Sequence, residues 1–432
     1  MSNFITFGCW NKGNCNPGPR VSNPLSRVIA KMDSYIHTLG NAPPSFICVA
    51  GDNYYPDIRI DKVEVDGEEK EKKIKTLSIT NLKSGFDCLK QFHESHRHIP
   101  IDIIAGNHDI ENTNKMTVTQ IPGSTPVTEP CIITKAEIES TMHYRMMKFT
   151  MFNYRVIKNT LIIMIDSNIY QEDLDAAKLN CYELLVNHTL STLKLEKLHD
   201  GSPPITDVNQ LKAIQSSWLS TVYASISRIK FANVVIVAHH PFALYKVKNK
   251  TCRYDMVKPD YLVFCHSIYK HLRDNNNSRH FFYSCADLHT YQSGIVTINI
   301  GGDPITISQE IAGTGGTDLE TEIAEIECPS QDSRNKPGST LSYSMTLIQH
   351  SHGFLHWSIE KSGRLAARFI PIDSYSSKYK GKRKIRRRIS SGRSSSGKSS
   401  SGRSSSGRRS SRGGTKRRSK RGRRMRRSRS RH

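Results

Sequence analysis

Acidic residues are missing from the last 55 positions of this chain. Lys378 to His432 holds 25 Lys and Arg without one Asp or Glu. The chain's formal charge of +24 therefore leaves about −1 for residues 1–377, so the basic character belongs to the tail and the body is near neutral. Nor does any run approach the roughly 20 apolar residues needed to cross a bilayer. No amino-terminal segment joins a basic start to a long apolar core, so no secretory signal is read. The ten cysteines form no Cys-x-x-Cys pair and show no regular spacing. Reduced thiols in an intracellular protein are the expectation, with a nuclear or virion-associated setting suggested by the tail.

The body alternates short apolar runs with helical stripes. Phe4 to Phe7 reads as a first strand, and Pro24 to Leu39 as a helix with Leu25, Val28, Ile29, Met32 and Ile36 on one face. Strands are expected at Phe46–Ala50, Ile101–Ala105, Leu161–Ile165 and Val234–Ala238, then at 280–284, 296–300, 306–311, 341–348, 354–359 and 365–370. Helices are expected at Leu174–Leu198 and Val208–Ile229. Residues 61–75, centred on Asp66-Gly67, suggest an exposed hairpin or loop excursion. Thr117–Pro130, with three prolines, reads as a long loop at the edge of a site, and Tyr245–Pro259 as a loop that bears on substrate choice. The fold class that follows is α/β: two packed mixed β-sheets flanked by helices, spanning 1–372, with a disordered basic Ser/Arg/Gly-rich tail at 373–432.

Polar clusters follow the apolar runs. Gly51-Asp52-Asn53-Tyr54-Tyr55 comes after the Phe46 run, Gly106-Asn107-His108-Asp109 after the Ile101 run, and His239-His240-Pro241 after the Val234 run; Asp287 and His289 follow the strand at 280–284. Open α/β sheets bind ligands at the carboxyl ends of their strands. Carboxylate, imidazole, amide and phenol donors together suit first-row metal ions better than calcium or a thiolate zinc site. Two ions about 3.5–4 Å apart, sharing one carboxylate, activate water for in-line attack on phosphorus. Each cluster taken alone also fits an ordinary turn, since Gly, Asn and Asp are turn residues.

The series Gly-Asp-Asn-x-Tyr, Gly-Asn-His-Asp and x-His-x-Pro resembles the calcineurin-like metallophosphoesterase superfamily, and Asp-Asn-Tyr-Tyr resembles its purple acid phosphatase branch. Asp166-Ser167-Asn168, Gln215 with Trp218-Leu219, Gly313-Thr314-Gly315-Gly316 and Gly353-Phe354 are similar to further family features, so the likeness runs over roughly residues 4–370. It implies two metal ions (iron, manganese or zinc) and a phosphate-ester substrate. Asp52 would bridge, with Tyr55 and His289 on one ion and Asn107 and His239 on the other, and His108 would act as an acid near the leaving oxygen. Two positions depart from the pattern. Cys9 stands where the family has a carboxylate on the first ion, and Asp287 where it has a histidine on the second. Both remain metal donors. A carboxylate in place of imidazole lowers the charge of the site, which makes weakened activity or a catalytically degenerate domain the alternative. His240 reads as a residue on the substrate side.

The tail carries its own signal. Ser391-Gly392-Arg393-Ser394-Ser395 recurs with a five-residue period at Ser396, Ser401 and Ser406 before Arg-rich runs take over. With almost no apolar residues such a segment buries too little surface to fold alone. Arg386, Arg387, Arg388, Lys416, Arg417, Arg418, Arg423 and Arg424 are the expected polyanion contacts, salt-sensitive and largely sequence-independent. No aromatic follows Tyr379, so base stacking is not expected. Nucleic acid is the favoured partner; an acidic protein, an anionic membrane surface or a nuclear-import role are the alternatives. Two functional classes follow: a metal-dependent phosphatase localised by its tail, or a packaging or scaffold protein, viral in one version, built on a degenerate phosphoesterase domain.

Overall fold

Period-two alternation along the central strands divides their side chains between two cores. In β1 (Asn3–Phe7), Phe4 points one way, while Ile5 and Phe7 point the other. In β2 (Ile47–Ala50), Cys48 and Ala50 share the face of Phe4, and Ile47 and Val49 the opposite one. The same split runs through β9 (Thr160–Met164) and β10 (Asn233–Val237): Ile162, Met164, Val235 and Val237 join Phe4 and Cys48 in a core between two sheets, and Leu161, Ile163, Val234 and Ile236 meet the helices. Strands covered on both faces read as continuous apolar runs for this reason.

A computed structural model describes residues 2–12, 23–65, 68–111, 113, 117–119, 130–199, 203–248, 251–319 and 340–372. The tail contacts expected at Arg386, Arg387, Arg388, Lys416, Arg417, Arg418, Arg423 and Arg424 lie outside them. The first sheet has the order β18-β17-β1-β2-β5-β7, with β5 at Ile101–Ile104, β7 at Met147–Phe149, β17 at Gly353–Ile359 and β18 at Leu365–Pro371. The second has the order β16-β14-β15-β13-β10-β9-β8, with β8 at Asn153–Ile157, β13 at His280–Cys285, β14 at Tyr291–Ile300, β15 at Asp303–Ala312 and β16 at Leu341–Gln349. Within each sheet four neighbouring strands are parallel: β1, β2, β5 and β7, and β9, β10, β13 and β15. Their carboxyl ends therefore lie together at one edge of each sheet. The two sheets are tied by polar contacts as well as by the core. Ser284 and Thr6 share a hydroxyl hydrogen bond of 2.8 Å across the two sheets, and within the first sheet the Trp357 indole donates to Thr6 Oγ1 at 2.9 Å. Buried Asp102 takes Arg155 in a two-pronged contact at 2.7 and 2.9 Å and accepts from Asn153 at 2.9 Å, so its charge is fully matched.

The helices start where local chemistry provides an acceptor for free backbone donors. Asn23 caps α1 (Pro24–Thr38), with Pro24 in its first turn, and Leu25, Val28, Met32 and Ile36 turn inward. Ser78 caps α2 (Ile79–Ser95). The short α4 (Asn168–Gln171) follows β9, Asp175 caps α5 (Ala176–Leu193), and Asp207 with Gln210 forms a reciprocal capping box on α6 (Val208–Ile226).

Several expectations change. The hairpin read at 61–75 is present but longer, as the antiparallel pair β3 (Asp57–Val65) and β4 (Glu68–Ser78). Thr117–Pro130 is not all loop: β6 (Thr117–Thr119) pairs in parallel with β4, because Thr-Val-Thr favours a strand, while 120–129 lie outside the described residues. Tyr245–Pro259 is largely the hairpin β11 (Ala243–Lys248) and β12 (Thr251–Met256), whose edge leads into α7 (Pro259–Asn276). The reduced-thiol expectation is also corrected. Cys131, at the start of α3 (Ile132–Met142), is bridged to Cys181 of α5, because the packed helices bring two residues 50 positions apart within 5.1 Å between Cα atoms. Cys9, Cys48, Cys265 and Cys285 are free and buried.

Between the sheets sits one carboxyl group with a pH consequence. Glu310 accepts from Tyr291 at 2.8 Å and Ser293 at 3.1 Å, yet burial pushes it up to about 7 against those bonds. From about pH 4.5 to 7 the native state keeps a proton that the unfolded chain has released, so stability falls as pH rises and levels off above. The full drop is on the order of 3 kcal/mol. Denaturant unfolding at pH 5 and pH 8 is expected to show Glu310→Gln flattening that slope; an unchanged slope would remove Glu310 as its source.

Candidate metal centre

Three of the seven non-glycine residues with positive φ among the described residues stand at this edge: Cys9 (52°), Asp52 (54°) and Asp287 (58°). Each follows a parallel strand, β1, β2 and β13. A left-handed conformation in a non-glycine residue costs on the order of 1–3 kcal/mol and persists only where the surroundings enforce it. Here it turns three donors away from their strands and toward one another. Two glycines make the approach possible. A Cβ at Gly106 would lie 2.3 Å from Asp52 Oδ1, and one at Gly51 would lie 2.8 Å from His239 Nδ1. The Gly-rich stretch 313–316 packs on the Cys9 turn: a Cβ at Gly313 would meet Cys9 Sγ at 3.1 Å, and Gly315 donates its amide to the Gly8 carbonyl.

The two oxygens of Asp52 face different partners. Oδ2 accepts from Tyr55 Oη at 2.6 Å and from Cys9 Sγ at 3.8 Å, and Tyr55 Oη lies 3.1 Å from His289 Nε2. Oδ1 accepts from the His108 amide at 3.1 Å and lies 3.3 Å from His239 Nε2. That same His239 nitrogen is 2.9 Å from Asn107 Oδ1 and 3.9 Å from Asp287 Oδ1, while its Nδ1 is fixed on the Ala50 carbonyl at 2.9 Å. Cys9, Asp52 and His239 form a buried floor with donor atoms all within 4.8 Å of one another. Tyr55, Asn107, His108, Asp287 and His289 form a half-buried rim. The six other residues expected as metal donors thus stand near the Asp52 carboxylate, and the His108 ring lies tilted against that of Tyr55 with centroids 4.7 Å apart.

The floor favours positive charge. Burial works against an imidazolium at His239, but Asp52 and then Asp287 outweigh it and raise the group to about 10. Burial likewise opposes ionisation of Asp52, yet His239 and His108 hold it well below the usual carboxylate range. Asp287 is also lowered, with burial overcome by His240, Lys246 and His239. Burial and the Asp52 charge push the Cys9 thiol and the Tyr55 phenol up. A proton on His239 thus does what a metal cation between these carboxylates would do, and the donor set of thiol, carboxylate, imidazole, amide and phenol fits first-row ions.

The turns are held from behind. Asp109 accepts from the Asn53 amide at 2.7 Å, Asn53 Nδ2 at 2.7 Å and the Gly106 amide at 2.6 Å, joining the β2 and β5 turns. Asn53 Oδ1 accepts from Trp10 at 2.9 Å, which adds the β1 turn. Gln215 of α6 clasps the backbone of Asp166 on both sides, at 2.9 and 3.2 Å, and Ser167 contacts His240 Nδ1 at 2.9 Å.

Four charged residues here carry no motif. Glu111 lies 2.5 Å from His108 Nδ1 and takes Lys75 at 2.7 Å; Lys246, on the hairpin, lies 3.8 Å from Asp287 Oδ2; Glu172 lies 3.9 Å from His240. Glu111 follows His108 by three residues, the one local signal available. A polar cavity of about 260 Å³ opens beside Asp287, lined by His240, Lys246, Glu172, Gln171 and Asp255. Burial lowers His240 there to about 4, so it is neutral near pH 7.

No family model matches the chain, and no curated protein matches it. Among solved structures it is similar to that of PhoD, with 10% identity, a TM-score of 0.42, and coverage of 87% of this chain and 72% of that one. No helix among the described residues is long and apolar enough to cross a membrane.

Proposed function

We propose that the chain is a metal-dependent phosphoesterase. The observation that carries the reading is Asp52, whose two oxygens face two separate donor groups, as a carboxylate shared between two ions requires. Cys9, Tyr55 and His289 would hold one ion, and Asn107, His239 and Asp287 the other. Iron, manganese or zinc bound there supplies Lewis acidity toward a phosphoryl oxygen and brings the pKa of water near neutrality.

The chain's own residues supply the rest. Lys246 brings a cation to the cavity mouth beside Asp287, where an anionic ester would enter. Burial opposes the charged form of His108, yet Asp52 and Glu111 raise it above the ordinary histidine range, the direction that suits a proton donor to the leaving oxygen. The Glu111 carboxylate lies on the Nδ1 side of the His108 ring, leaving Nε2 for the substrate.

Stripped protein reloaded with iron, manganese or zinc is expected to bind about two ions at this centre and to hydrolyse an aryl phosphate monoester or diester in step with loading. Turnover absent with every metal would sink the reading and leave the alternative, a domain that binds without catalysing, to which the Cys9 and Asp287 departures point. The basic tail is part of the proposal as a polyanion-binding segment. Ending the chain after Ser374 is expected to abolish salt-sensitive nucleic-acid binding while hydrolysis survives.

A further inference from the structure

A second group of metal donors lies on the helical layer, on segments that take no part in the centre around Asp52. Asp33 and His37 are one turn apart on α1, so both side chains project from the same face. His96 closes α2, and its amide is held by the Phe92 and His93 carbonyls at 3.2 and 3.0 Å. Its Nε2 lies 2.8 Å from Asp33 Oδ1, and His37 Nε2 lies 3.7 Å from the same oxygen. One donor atom from each of the three falls within 4.8 Å of the others.

Those spacings suit one small ion. Zinc bonds to imidazole nitrogen and carboxylate oxygen are about 2.0–2.2 Å, and tetrahedral ligands then sit about 3.3 Å apart. The distances of 2.8 and 3.7 Å bracket that value. His96 is the fixed member, its side chain 5% exposed, and His37 is the adjustable one at 73%. Imidazole, imidazole and carboxylate with one position left for water is a zinc-type set.

We propose that Asp33, His37 and His96 bind one Zn²⁺, which ties the last turns of α1 to the end of α2. Without an ion the same contacts are two histidine side chains competing for one carboxylate. With an ion the two helices gain a cross-link that the hydrophobic face alone does not provide.

The test uses the full chain, stripped with chelator and equilibrated with Zn²⁺, with bound metal counted per chain, and with Co²⁺ as a spectroscopic probe of tetrahedral coordination. His37→Ala, at an exposed position that leaves the fold intact, is expected to remove one Zn²⁺ per chain and the tetrahedral Co²⁺ band. Asp33→Asn should do the same. In an Asp52→Asn, His239→Ala background the band should persist until His37 is also replaced, which separates this site from the other centre whatever that centre binds. An ion count and a Co²⁺ spectrum unaffected by His37→Ala would overturn the proposal.

Discussion

Asp52→Asn is expected to cost roughly three orders of magnitude in phosphate-ester hydrolysis, since metal Lewis acidity supplies several kcal/mol and about 4 kcal/mol corresponds to roughly a thousandfold in rate. The amide keeps the shape of the side chain but replaces one anionic oxygen with a donor nitrogen. That nitrogen would face either Tyr55 and Cys9 or His239 and the His108 amide, and none of these contacts gains from a donor in place of the carboxylate. Bound metal is expected to fall together with turnover. Measuring kcat/KM and metal content on one preparation checks this, and a variant that keeps both would show that Asp52 is not the shared ligand.

The second large effect concerns stability. Asp109→Ala leaves the buried Asn53 and Gly106 amides without their acceptor and takes one of two acceptors from Asn53 Nδ2, which keeps the Ile104 carbonyl. The loss is expected to be about 3–5 kcal/mol, because each orphaned buried group costs about 1–3 kcal/mol and neighbours on one acceptor do not add fully. Asp109→Asn keeps one carbonyl oxygen and should lose less. Denaturant midpoints of the two variants decide the matter. A loss under about 1 kcal/mol for the alanine variant would put Asp109 in the range of an ordinary surface change. Glu137, buried on α3 beside Asp109 and pushed up by burial and that neighbour, is a separate case: removing it relieves a buried acid rather than orphaning donors.

How far the sequence alone could be read follows from the physics of each element. The central strands were legible because burial on both faces writes an unbroken apolar run, as in 161–165 and 234–238. The donor clusters were legible because each directly follows such a run, and parallel strands bring their carboxyl ends together. Helix α3 was not legible: its buried positions include Thr134, Glu137, Ser140 and Thr141, so it has no apolar stripe to detect. Nor was the partnership of Lys246 with Asp287, which depends on how a hairpin leans over a sheet edge. Cys131 and Cys181 gave no spacing signal, because their proximity comes from helix packing alone. Cys9 and Asp287 looked like departures from a pattern; their shared positive φ with Asp52 appears only in three dimensions.

Strand β1 lies in the interior of its sheet, between β2 and β17, and the residues that close it on the second side are Gly353–Ile359. A ribosome making this chain at about 5–20 residues per second takes roughly 15–60 seconds to pass from one partner to the other. For that interval the edge of β1 is open, and neither Thr6 nor the Cys9 turn has its final support from Trp357 and the 313–316 glycines. The candidate centre draws donors from segments between Cys9 and His289, so it cannot be complete before residue 289 has been made. A metal bound there as proposed would be captured only after His289 has been made, and a chain stalled before residue 353 would still present an unpaired strand edge.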